Sequence, residues 1–86
     1  MGKEPQKEAY LIRELEVLVT RLGIQVRYER LTDAQSGLCI LRGISYLIID
    51  TGTAPEQILD IFRHALSDKD LSNMYLPPVV REFLSL

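Results

Sequence analysis

Cys39 and His64 are the only thiol and the only imidazole in the 86-residue chain. Any nucleophilic or general-base chemistry of the usual kind would run through them. With Asp50 or Asp60 as orienter they match the residue types of a nucleophile, a base and a third group. Their local sequences do not match such a centre. Cys39 stands in SGLCILRG, with no strained nucleophile turn and no oxyanion loop. A thiol is activated by a nearby cation or a helix N-terminus. Arg42 is the nearest cation in sequence, but three residues along a strand it falls on the opposite face. A small buried hydrophobe is the ordinary role of such a cysteine. A zinc centre fails on counting, because structural sites take four Cys or His ligands and catalytic sites three. One Cys, one His and no HExxH supply neither, and no cofactor or metal is expected. Asp68 and Asp70 lack the loop glycine and closing Glu of a calcium-binding loop. Gly37, Gly43 and Gly52 form no phosphate-binding pattern. Thr51-Gly52-Thr53 precedes a helix N-terminus that could hold an anion, although capping by Thr53 accounts for it without a ligand. No catalytic residue is assigned. Cys39, Arg42, Tyr46 and His64 remain as a candidate ligand pocket.

These residues must be positioned by six elements. Leu11, Leu15, Leu18 and Leu22, widened by Ile12 and Val19, predict a helix from about Glu8 to Leu22, closed by Gly23. Ile24, Val26 and Tyr28 alternate with Gln25, Arg27 and Glu29, which predicts an amphipathic edge strand over Ile24 to Arg30. Thr32 to Gly37 is turn chemistry. Leu38–Leu41 and Tyr46–Ile49 predict a hairpin around Gly43 whose strands are apolar on both faces and want cover on both sides. Thr53 and Glu56 have capping-box spacing around Pro55, and Ile58, Leu59, Ile61, Phe62, Ala65 and Leu66 form the apolar face of the helix that follows. Asp70 caps a short turn carrying Leu71, Met74 and Tyr75, and Pro77-Pro78 open a last helix. The expected fold is one α+β domain over 1–86, with about 1–7 flexible. Its order is α-β-β-β-α-α, with a three-stranded, mainly antiparallel sheet flanked by helices.

Composition narrows the partners. The net charge is −2, split as seven Lys and Arg against six Asp and Glu in residues 1–49 and three against six in 50–86. That balance argues against nucleic acid, whose binders draw most of their affinity from phosphate neutralisation. Arg27, Arg30 and Arg42 could share a rim of the sheet, but a nucleic-acid platform also wants exposed aromatics, and only Tyr28 and Tyr46 are near. A single cysteine fits a reducing cytoplasm. MGKEPQKE holds no apolar signal region and no apolar stretch is long enough for a bilayer, so no membrane role is expected. The C-terminal LSNMYLPPVVREFLSL is unusually apolar. Leu76, Val79, Val80, Phe83, Leu84 and Leu86 exceed what one narrow helix face buries, so they either cover the second face of the sheet or meet another chain, with the first five the candidate interaction surface. A two-fold homodimer is the commonest closed assembly.

LGIQVRYERL, SGLCILRG and YLPPVVREFL together resemble a family of short uncharacterised bacterial proteins over nearly the whole chain. The resemblance implies a bacterial cytoplasmic protein and transfers no activity. From Ile44 to Ala65, a hairpin ending in Leu-Ile-Ile-Asp, a turn, Pro-Glu and a helix with a histidine are similar to ImmA/IrrE-type zinc peptidases. Their helix carries HExxH, whereas His64 stands alone here. That similarity implies a non-catalytic relative. The expected function is a non-enzymatic protein-interaction module that self-associates or meets another protein. The alternative is a small-ligand binder or degenerate metallopeptidase-like protein.

Overall fold

The computed structural model describes residues 5–86. Helix α1 spans Pro5–Arg21, strand β1 Ile24–Glu29, β2 Gly37–Leu41, β3 Ile44–Asp50, α2 Pro55–Leu66 and α3 Pro78–Leu84. The α+β class and the element order follow the sequence expectation. The flexible start expected over about 1–7 is already helical from Pro5, and its first four residues lie outside the described residues. Gly23 ends α1 with φ +87°, a left-handed conformation that costs glycine nothing.

The sheet order is β1-β3-β2, with β1 parallel and β2 antiparallel to β3. It is therefore mixed rather than mainly antiparallel. The reason is the path of the chain after β1. Residues 30–36 carry it over the end of β3 to the far side, β2 runs back, and β3 inserts between them. Asp50, the last residue of β3, pins that crossing. Its carboxylate accepts from the backbone N–H of Leu31 at 2.8 Å and of Gly52 at 3.2 Å, and its own N–H donates to Ser36 Oγ at 2.9 Å. The hairpin between β2 and β3 turns on Arg42 (φ 53°) and Gly43 (φ 80°), which is the type I′ geometry of a two-residue loop.

One core forms, on one side of the sheet. Leu47 and Ile49 of β3 point into it with Ile24 of β1, and meet Leu11, Leu15, Leu18 and Val19 of α1, Phe62, Ala65 and Leu66 of α2, and Leu76 and Val80. The Cα trace is only 16 Å thick in its thinnest direction, room for one sheet and one helical layer. The apolar tail therefore does not cover the second face of the sheet. Leu76 and Val80 are buried in the same core, with Val79, Phe83 and Leu84 packed half-buried against it. The second helix also starts later than the Thr53 cap implies. Ala54 is its N-cap, without a side-chain hydrogen bond, and Pro55 is the first helical residue. Asp70 does hold its turn, accepting from the N–H of Ser72 at 3.0 Å and its hydroxyl at 2.8 Å. No described helix is long and apolar enough to cross a membrane.

Candidate functional site

Strand alternation sorts the sequence-derived pocket residues onto different sides. Leu47 and Ile49 face the helices, so Tyr46, Ile48 and Asp50 face outward. Paired residues share a face, which puts Cys39 opposite Tyr46 on the outer side, with Arg27 beside them. The Arg27 guanidinium lies 5.2 Å from the centre of the Tyr46 ring. His64 lies exposed on α2, on the helical side, where it lines a hollow with Leu38 and Leu47. Cys39 and His64 are thus separated by the sheet and cannot hydrogen-bond. Arg42 stands exposed at the hairpin tip. Only Cys39 and Tyr46 come together. Cys39 is half-buried on that outer face rather than in the core. Among the described residues, no three His, Cys, Asp or Glu side chains gather as metal ligands would.

The outer face stays without helical cover because it is not uniformly apolar. Gln25, Arg27 and Glu29 bring their polar groups from β1, and Arg27 pairs with Glu29 at 3.4 Å. The stem of Arg27 and the Tyr46 ring shield each other. On the helical side Tyr28 donates its hydroxyl to the Glu16 carboxylate of α1. Partial burial of the phenol, reinforced by that bond and by the carboxylate's charge, holds its proton to a pH above the ordinary 10.0.

Among the described residues, hollows open on the helical side in two places. One, of about 460 Å³, lies between β2 and α2 and is lined by Ser36, Leu38, Asp60, Ile61 and His64. The other, of about 550 Å³, has a floor of Leu66, Leu76 and Leu84 and a rim of Arg63, Lys69 and Arg81. Much of that rim is already committed. Arg63 pairs with Asp60 at 2.8 Å and lies 4.1 Å from the Phe83 ring centre, and Lys69 pairs with Asp68 at 2.9 Å.

The feature that sequence reasoning missed is the edge position of β2. The sequence places only the strand from Ile24 at an edge and asks cover for both faces of the hairpin strands, yet the chain path leaves β2 at the border as well. Counting back from the two-residue hairpin, Leu41, Cys39 and Gly37 turn their backbone groups to β3, and Leu38 and Ile40 turn theirs outward. No backbone hydrogen bond among the described residues meets Leu38 or Ile40 on that side. Their side chains are also open, with Ile40 71% exposed, Leu41 57%, Leu38 45% and Ile44, across the turn, 42%. The spacing of residues 30–36 between two strands was the one available signal, since it is long enough to step over a third.

No family model, curated protein or solved structure matches the chain.

Proposed function

We propose that the chain is a non-enzymatic protein-interaction module that self-associates through the β2–β3 hairpin. The carrying observation is the free, uncharged, apolar edge of β2. Edge strands invite another chain, and proteins that must stay single blunt them with charge, bulges or cover. The β1 edge follows that rule with Arg27 and Glu29, whereas Gly37–Leu41 carries no charge. The exposed parts of Leu38 and Ile40 on the helical face and of Leu41 and Ile44 on the outer face make this border of the sheet apolar on both sides. In this reading the single cysteine and the resemblance to short bacterial proteins put the module in the bacterial cytoplasm.

A second reading, a small-ligand binder, draws on the hollow with cations around an apolar floor. It is the weaker one, because Asp60 and Asp68 already neutralise Arg63 and Lys69.

Self-association is tested by sedimentation and by melting the intact protein over a wide concentration range. A mass that rises towards a dimer, with a Tm that rises alongside, is expected. A monomer with constant Tm throughout would remove the proposal.

A further inference from the structure

We propose that the partner of β2 is β2 of a second copy, paired antiparallel about a two-fold axis beside Cys39, so that two three-stranded sheets become one. The inference rests on the self-association reading and specifies its register.

Backbone geometry selects the centre. Only Leu38 and Ile40 present free N–H and C=O groups at the edge. Two copies related by a two-fold axis satisfy all of these groups when Leu38 of each faces Ile40 of the other, forming about four backbone hydrogen bonds in two ring pairs. That register places Cys39 opposite Cys39 as a non-hydrogen-bonded pair. A shift of the axis to Leu38 or Ile40 would set Cys39 against residue 37 or 41 instead.

Side chains agree with this choice. Residues directly opposite share a face, so Ile40 of one copy lies beside Leu38 of the other, at the mouth of the hollow between β2 and α2. That accounts for Ile40, the most exposed aliphatic side chain of the sheet, whose cross-strand neighbour within one chain is the small Ser45. No like charges meet, because Gly37–Leu41 has none. The assembly also closes. A head-to-tail stack would pair β2 with the charged edge of β1 and continue as a filament, whereas the isologous pair leaves only two β1 edges outside.

The exposed apolar area of Leu38, Ile40 and Leu41 amounts to roughly 600 Å² over two copies before backbone and α2 flanks are counted, short of the ~1,200 Å² at which standard interfaces begin. The interface is therefore of the small kind, and the dimer should dissociate on dilution.

Two measurements on the full chain decide the matter. The first is thiol oxidation with diamide, which takes the two protons and two electrons released as the disulfide forms. Opposed non-hydrogen-bonded residues have Cα atoms about 4.5 Å apart, inside the ~4.4–6.8 Å span of a disulfide. Rapid, concentration-dependent formation of a covalent dimer is expected, and it should be lost in Cys39→Ala. The second is Ile40→Lys, at a position so exposed that the fold does not depend on it. It should raise the dissociation constant about tenfold or more, with the circular dichroism spectrum unchanged. A dimer that neither cross-links through Cys39 nor weakens in Ile40→Lys would overturn this register and leave the self-association reading standing. A protein that stays monomeric at every concentration would overturn both.

Discussion

Asp50 ties three backbone segments together. Its side chain and backbone join the loop after β1 to the end of β3, which lets β3 enter between two strands that precede it in sequence. Asp50→Ala strands the N–H of Leu31 and should cost about 1–3 kcal/mol, the usual penalty for an unmet partly buried donor. Urea unfolding measures it, and a loss under ~0.5 kcal/mol would show that water replaces the carboxylate. Tyr28 makes a second prediction, with a definite sign. The unfolded phenol loses its proton near 10.0, while the folded one holds it to higher pH. Above that value the native state binds more protons, so this contribution is full below pH 10 and declines as pH rises further. Tyr28→Phe should shrink the alkaline loss of stability. The difference in phenolate absorbance between wild type and variant should have its midpoint above 10.0, and a midpoint at or below 10.0 would contradict partial burial of the phenol beside Glu16 as the cause.

At the scale of elements, periodicity was enough to find the helices and strands. The stripe of α1 is buried where its spacing requires, with Leu15 fully enclosed and Val17, one turn face away, 48% exposed. Leu15→Ala should cost about 2–4 kcal/mol, as large-to-small core changes do. Val17→Ala should stay within ~0.5 kcal/mol, and reversal of that order would break the assignment of the buried face. Boundaries were less legible. The start of α2 slipped by a residue because Pro55 settles the first helical position and does not need Thr53 as a cap. The sites were least legible of all. Cys39, Arg42, Tyr46 and His64 are close enough in sequence to suggest a pocket, but one side of a sheet cannot reach the other, and alternation across two strands decides which side each takes.

For the whole molecule the consequence lies in the tail. Leu76 and Val80 complete the single core, and Phe83 closes over it beside Arg63. Deleting residues 79–86 should therefore destabilise the individual chain by several kcal/mol, by the loss of a fully buried Val and its neighbours. It should not simply release a folded monomer from a dimer. Denaturant melts of the truncated chain at low concentration check this, and an undiminished midpoint would return the tail to the surface. Local spacing and conformational preference settle the elements, the α+β class, the edge position of β1 and the apolar stripe of α1. They could not determine the order of the strands. A parallel β1–β3 pair, β2 at the border and a tail that joins the helical layer all depend on contacts between residues far apart in the chain. Hydrophobic burial favours any arrangement that hides the same side chains, so local spacing leaves the choice to long-range contacts such as the Asp50 crossing.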